Sequence, residues 1–205
     1  DVAKKDLNYN GIVFEGGGVK AIAYVGVLRA LYNKGIYDKF WRFAGTSAGA
    51  IVATLLAIGY NAEEAADILY NTDFSSFLDD KTGIVRDTIN MFHKYGVCKG
   101  DVFEKFIVKY IEEKTQNRNY TFKELYDFNK IELVIVVTDL KHNTPIYLSY
   151  HTYPDMPICL AVRASMSIPY LFQPVNYENM MLVDGGVLDN YPIHVFDGNV
   201  PGDTY

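Results

Sequence analysis

The sequence predicts an α/β fold with a mostly parallel central sheet, because short apolar runs alternate with helical patterns along the chain. Residues 11–15 have the composition of a buried strand, end at three consecutive glycines and are followed by helical periodicity over residues 19–31. A second β-like run covers residues 40–44, and residues 48–58 are apolar on every side, as in a buried helix. This repeated strand–turn–helix unit is typical of strands connected by helical crossovers.

The rest of the chain continues this alternation. Residues 131–138 form a nearly continuous β-branched run, which predicts a strand covered on both faces of the sheet. Residues 145–150 alternate between apolar and polar side chains and are expected to pair beside it. Capping-box pairs or helical spacing predict three further helices, which begin near Asn61, residue 101 and Thr121.

Length and composition indicate a single packed domain over residues 1–205. The hydrophobic share of 49% and the charged share of 21% are those of a globular protein and not of a disordered one. A net charge of -6 argues against a nucleic-acid partner, which normally requires a clustered basic surface. The chain ends soon after its last motif, so we expect a domain truncated at its C-terminus.

Two features of the sequence indicate where in the cell the protein is located. The only cysteines, Cys98 and Cys159, fit neither a zinc cluster nor a disulfide framework, which favours reduced thiols. The first residues are polar, and no apolar stretch approaches membrane-spanning length. We therefore expect a cytoplasmic or membrane-peripheral protein, although a targeting segment removed upstream would leave no trace in this sequence.

The segment Gly45-Thr46-Ser47-Ala48-Gly49 has the G-x-S-x-G pattern of a nucleophile elbow. In such an elbow, flanking glycines (here Gly45 and Gly49) let the backbone turn sharply, so that the serine is presented at a helix N-terminus. The β-like run before Ser47 and the small-residue helix after it fit this context. The alternative is a small-residue turn that only begins a buried helix.

The three glycines Gly16, Gly17 and Gly18 stand between a strand and a helix, where their N–H groups can point at one external atom. This arrangement suits the oxyanion that forms when a serine attacks an ester. A phosphate cradle is the competing interpretation, but neither G-x-G-x-x-G nor the P-loop spacing is present. Close helix packing is a third explanation.

The third motif is Asp184-Gly185-Gly186, which follows a short apolar run and places Asp184 at the end of a strand. A carboxylate in this position can face a crevice at the edge of the sheet. The alternative is an Asp-Gly hairpin turn, for which this dipeptide is a strong signal.

Together these motifs, in this order and combined with the segment Asp189-Asn190-Tyr191-Pro192, resemble the signatures of the patatin-like phospholipases. The small-residue segment 161–169, ending in Pro169, is also similar to this family. Two departures are Glu15, where the family often has Asp, and Ala21, where it often has Gly. Neither removes a backbone N–H.

The resemblance implies a three-layer α/β/α sandwich and a serine lipid-acyl hydrolase of phospholipase A or lysophospholipase type. It makes Ser47 the nucleophile, Asp184 the base, and Gly16, Gly17 and Gly18 the oxyanion hole, with no catalytic histidine. No metal or organic cofactor is expected. The substrate would be a phospholipid or another lipid ester, reached by peripheral contact with a membrane.

The sequence leaves open several alternatives for the catalytic residues and for the function. A Ser-His-Asp triad would use one of the four histidines, of which His194 fits the Ser-Asp-His order best. The domain could instead be a catalytically idle lipid-binding or storage module, or a nucleotide-binding module. A lipid-contacting flap is a further hypothesis, based on the aromatic-rich stretch with Phe74, Phe77, Met91, Phe92 and Tyr95.

Overall fold

The sheet of the protein begins with three parallel strands. A computed structural model describes residues 10–74, 77 and 100–197. The parallel strands are β1 (Gly11–Phe14), β2 (Arg42–Thr46) and β3 (Glu132–Asp139), in this order across the sheet. All eight residues of β3 are buried, which confirms the predicted strand covered on both faces.

Three antiparallel strands complete the described sheet. They are β4 (Thr144–Leu148), β5 (Val175–Tyr177) and β6 (Met180–Asp184). β3 pairs with β4 and with β6, and β5 pairs with β6 at the edge. The predicted pairing of residues 145–150 beside the central strand is therefore confirmed for β4.

The register along β3 determines where the ends of β2 and β6 lie. β2 pairs with residues 132–136 of β3, β4 with residues 135–139, and β6 with residues 137–139. A strand residue has only two lateral sides, so β2 and β6 must both lie on the side of β3 opposite β4. They lie there end to end: the last residue of β2 is next to Val136, and the last residue of β6 is next to Val137.

Six α-helices connect or flank these strands in the described ranges. They are α1 (Tyr24–Asn33), α2 (Ala48–Ala57), α3 (Ala62–Tyr70), α4 (Asp101–Thr115), α5 (Phe122–Asn129) and α6 (Ile158–Ser165). Capping boxes at the starts of α3 and α5 are both formed, as the sequence predicted. Within these ranges no helix is both long enough and apolar enough to cross a bilayer.

Two elements differ from the sequence prediction. The helix expected from residue 19 begins as the 3₁₀ helix Gly18–Ala23, and α1 starts only at Tyr24. The first residue of this 3₁₀ helix, Gly18, has a φ of 54°, a left-handed conformation that glycine adopts readily. The strand β5 was not predicted, because three residues are too few to show a periodic pattern.

The main hydrophobic core lies on one face of the sheet. Alternate strand residues such as Phe43, Leu133 and Ile135 pack there against α2, whose ten residues are all buried. On the opposite face a smaller cluster joins Ala44 and Val134 to Val195. The predicted α/β class is thus confirmed, and in the described residues the second face is covered by the segment that contains Val195.

We predict opposite effects on stability for two helical glycines. An alanine Cβ at Gly49 in α2 would overlap the Phe14 backbone carbonyl, so Gly49→Ala should lower the free energy of unfolding by about 1–3 kcal/mol. Gly26 in α1 has open space where a Cβ would lie, so Gly26→Ala should raise that free energy by about 0.5–1 kcal/mol. Urea denaturation measures both, and equal effects would contradict the tight contact of α2 with β1.

Candidate active site

Ser47 stands at a strained turn between β2 and α2. Its φ of 55° and ψ of -124° lie in a region that costs a non-glycine residue about 1–3 kcal/mol. The surrounding hydrogen bonds hold this conformation: the Ser47 N–H donates to Ser165 Oγ at 2.8 Å, and Ser165 Oγ donates to the Val136 carbonyl at 2.7 Å. No sequence motif had indicated this supporting role for Ser165.

The two elbow glycines are needed for close packing. Neither Gly45 nor Gly49 has a positive φ, so the expected conformational freedom is not what the turn uses. A Cβ on Gly45 would overlap the carbonyl of Gly49, and a Cβ on Gly49 would overlap that of Phe14. The glycines therefore let the start of α2 approach β1 and β2.

Asp184 lies beside Ser47 because β2 and β6 end at adjacent positions along β3. Both side chains are buried, with exposed fractions of 5% for Ser47 and 6% for Asp184. The Gly186 N–H donates to Asp184 Oδ1 at 2.7 Å, and the Ser47 hydroxyl lies beside the carboxylate. Burial raises the pKa of Asp184 above its ordinary value, and the neighbouring Ser47 hydroxyl and the hydrogen bond from Gly186 only partly offset that rise.

Asp184 does not form the hairpin turn that its following glycine could indicate. The chain continues from Asp184 into the short 3₁₀ helix Gly185–Val187. A Cβ on Gly185 would be 2.5 Å from the Val136 carbonyl oxygen, so the chain passes directly over β3 at this point. The Ser47 hydroxyl itself donates to the sulfur of Met166, which is 3.6 Å from Ser47 Oγ.

The glycine run lies next to the elbow. A Cβ on Gly16 would be 3.2 Å from the Cβ of Ser47. The Gly16 N–H donates to the Asn190 carbonyl at 3.0 Å and is therefore occupied. Gly17 precedes and Gly18 begins a 3₁₀ helix, where the first N–H groups have no acceptor within the helix. The N–H groups of Gly17 and Gly18 are thus more available to an external acceptor than that of Gly16.

The described histidines have carboxylate neighbours other than Asp184. These pairs are His142 with Asp139, His151 with Glu132, and His194 with Asp189. The His194 ring nitrogen is also 3.3 Å from the Tyr147 hydroxyl. The fourth histidine, His93, lies outside the described residues.

Two aromatic residues of the hypothesised lipid-contacting flap pack in the core. Phe77 is buried, with its ring 5.3 Å from that of Phe103, and Phe74 packs against the same core, so neither belongs to an exposed flap. The remaining flap residues, Met91, Phe92 and Tyr95, lie outside the described ranges.

Of the two cysteines, Cys98 also lies outside the described ranges, and Cys159 is a buried free thiol. Among described side chains no group of His, Cys, Asp and Glu is arranged to hold a metal ion.

Comparisons with known proteins place this site in a family context. Residues 12–197 match the family model described as patatin-like phospholipase. The YqhO protein of Bacillus subtilis is 36% identical over 198 residues, which cover 90% of this chain and 65% of that protein. The probable lipid hydrolase 463L of invertebrate iridescent virus 6 is 29% identical over 191 residues, covering 93% of this chain and 64% of that protein. This chain thus spans slightly less than two thirds of these relatives.

Solved structures show the same fold. VipD from Legionella pneumophila superimposes with a TM-score of 0.72 at 20% sequence identity, covering 90% of this chain and 47% of VipD. The type III effector ExoU of Pseudomonas aeruginosa, in its complex with SpcU, gives a TM-score of 0.58 at 22% identity, covering 88% of this chain and 40% of that chain.

The environment of Asp184 predicts a pH-dependent effect on stability. Because the pKa of Asp184 is raised above 3.8 in the folded state, the folded chain binds this proton more tightly than the unfolded chain does. Its contribution to the free energy of unfolding therefore falls as pH rises from below 3.8 through the raised value. Asp184→Asn, which carries no charge, should have a higher Tm than the wild type at neutral pH.

Calorimetry across pH measures this difference, which should shrink below about pH 3, where the wild-type carboxyl is also neutral. Asp155→Asn removes an exposed carboxylate and serves as the control, with no comparable gain expected. A lower Tm for Asp184→Asn at neutral pH would show that the carboxylate stabilises the fold.

Proposed function

Because this chain belongs to the patatin-like phospholipase family, we propose that it hydrolyses fatty-acyl esters of lipids, with Ser47 as nucleophile and Asp184 as base. The observation that carries the proposal is the burial of these two side chains side by side at a strained turn. Phospholipids or lysophospholipids are the proposed substrates, in a reaction of phospholipase A or lysophospholipase type.

The first half-reaction acylates the serine. Ser47 Oγ attacks the ester carbonyl carbon while its proton passes to Asp184. Negative charge then develops on the former carbonyl oxygen. The N–H groups of Gly17 and Gly18 and the N-terminus of α2 favour that charge. When the tetrahedral intermediate collapses, the bond to the leaving alkoxide breaks, and Asp184 returns the proton to it.

The second half-reaction releases the fatty acid. Asp184 takes a proton from a water molecule, whose oxygen attacks the acyl carbon on Ser47. Collapse of this second intermediate breaks the bond to Ser47 Oγ, which recovers its proton from Asp184. The raised pKa of Asp184 supports this role, since a carboxylate of ordinary pKa is a weak base for a serine hydroxyl.

The contacts of His194 support the dyad over a triad. In a triad the histidine would lie between the serine and the carboxylate, whereas His194 is 3.6 Å from Asp189 and near the Tyr147 hydroxyl. The nucleotide-binding alternative is also weakened, because the Gly16 N–H is already bonded to the Asn190 carbonyl.

We expect Ser47→Ala and Asp184→Asn to remove nearly all ester hydrolysis, and His194→Gln to retain most of it. Loss of the nucleophile or of the base should lower kcat/KM by on the order of 10³-fold or more. The measurement is steady-state hydrolysis of a short-chain nitrophenyl ester by each variant, after circular dichroism has verified folding. A folded His194→Gln protein that loses activity to the same extent would support a triad.

Covalent labelling separates the enzyme from a catalytically idle lipid-binding module on the same fold. Only an activated serine reacts readily with a fluorophosphonate. Intact-mass measurement should therefore show one label on the wild type and none on Ser47→Ala. An unlabelled, folded wild type would favour the idle module.

Exposed apolar side chains adjoin the segments that build the site. Each has an exposed fraction of at least 44%: Val19, Ile22, Val187, Leu188 and Tyr191. Exposed apolar side chains next to the proposed site are suited to contact with a lipid surface. Since the whole chain carries a net charge of -6, we propose that the contact is mainly apolar, with a membrane of zwitterionic lipid.

We expect the double variant Val19→Ser/Leu188→Ser to bind phosphatidylcholine vesicles on the order of 10²-fold more weakly or worse, because burying each of the two side chains contributes about 1.5–3 kcal/mol. Vesicle co-sedimentation measures this, while hydrolysis of a soluble short-chain ester should be unchanged. Phe128→Ser is the matched control. Phe128 is 84% exposed but lies on α5, before the N-terminal end of β3 and thus at the opposite end of the sheet from Ser47. Wild-type vesicle binding by the double variant would contradict the proposed surface.

A further inference from the structure

We infer that Asn190 is a positioning residue that fixes the orientation of the glycine run at residues 16–18. Two hydrogen bonds connect it to Gly16: the Gly16 N–H donates to the Asn190 carbonyl at 3.0 Å, and Asn190 Nδ2 donates to the Gly16 carbonyl at 3.0 Å. Both backbone polar groups of Gly16 are therefore held by one residue. The inference rests on the proposed hydrolysis at Ser47.

The contact with the Gly16 carbonyl also orients the next N–H group. The Gly16 carbonyl and the Gly17 N–H belong to one planar trans peptide unit, so they point in opposite directions. By binding the carbonyl, Asn190 Nδ2 directs the Gly17 N–H away from itself. An N–H group fixed before substrate arrives can stabilise an oxyanion without reorganising during the reaction.

The Asn190 side chain lies between the two loops that the reaction requires. A Cβ on Gly16 would overlap Asn190 Oδ1, and a Cβ on Gly186 would be 2.8 Å from the same oxygen. The Gly186 N–H in turn donates to the Asp184 carboxylate. One amide group thus contacts both the glycine run and the loop that holds the proposed base.

Asn190 also holds a nearby negative charge. Its Nδ2 donates to Glu15 Oε1 at 3.1 Å, directly before the glycine run. A mobile carboxylate near a developing oxyanion would raise the energy of the transition state. The amide donor fixes this carboxylate and partly compensates its charge.

The backbone next to Asn190 is anchored to the sheet. The Asp189 carbonyl accepts a hydrogen bond from Thr46 Oγ1 at 3.1 Å, and Asp189 Oδ2 accepts one from the Tyr147 hydroxyl at 2.8 Å. Thr46 is the last residue of β2, and Tyr147 lies in β4. Asn190 can therefore transmit the fixed geometry of the sheet to the glycine run.

The test is Asn190→Asp, which keeps the shape of the side chain but replaces its donor with a second acceptor. We expect kcat for a short-chain ester to fall on the order of 10²-fold with KM little changed, as for a small displacement of a group that acts in the transition state. The affinity for an alkyl boronic acid, whose tetrahedral adduct on serine is anionic, should fall in parallel. Asn176→Asp, with the same charge change at an exposed position of β5, should leave both values unchanged.

Hydrogen exchange gives a second readout that does not depend on activity. In Asn190→Asp and Asn190→Ala, the backbone amide of Gly16, whose N–H donates to the Asn190 carbonyl, should exchange faster than in the wild type, while the Tm stays well above the assay temperature. Unchanged exchange would overturn the positioning role, and so would faster exchange with unchanged kcat and boronate affinity. Hydrolysis that persists in Ser47→Ala would instead overturn the proposed function, and the exchange measurement would still decide whether Asn190 holds the run.

Discussion

The arrangement of the site depends on one constraint, which is that β2 and β6 share the same side of β3. β2 pairs with residues 132–136 of β3 and β6 with residues 137–139, so that the two strands end beside each other. This places Ser47 and Asp184 together although 136 other residues separate them in sequence, between positions 47 and 184. A shift of either strand by one residue would turn its side chains to the opposite face. The complete burial of β3 opposes such shifts.

Negative charge is the second constraint on this site. Asp184 is buried, Glu15 lies next to the glycine run, and the proposed reaction would place an oxyanion near that run. The groups that favour negative charge are backbone N–H groups and the Asn190 amide, and none of them carries a formal charge. Dipoles fixed by the fold can act in this way because they need no counterion and do not reorganise as charge develops. For the same reason the elbow at Ser47 is a strained turn fixed by hydrogen bonds, and not a relaxed loop that would have to reorganise as charge develops.

The sequence predicted those features that local chemistry determines. The β-branched run of β3, the capping boxes of α3 and α5, and the three motifs with Ser47, Asp184 and the glycines are all visible as short patterns. Features that depend on long-range contacts were not predictable. Ser165 supports the elbow from 118 residues away, and the bond between Asn190 and Gly16 decides which glycine N–H groups are left to donate. The motif indicated that glycines were necessary at the elbow, but only packing showed that close approach, and not positive φ, is the reason.

The contact between Gly16 and Asn190 has a consequence for how the protein folds. It joins residues 174 positions apart, near the two ends of the described chain. Closing so large a loop is entropically costly, and such contacts form late unless other structure has already brought their ends together. Here that structure is the sheet, since β1, β2, β3 and β6 must be in register before Asn190 can reach Gly16. Partly folded chains, including nascent ones that have not yet emerged beyond residue 190, therefore lack an ordered glycine run even when the Ser47 elbow has formed. The same geometry would delay the proposed hydrolysis of lipids until the domain is fully folded.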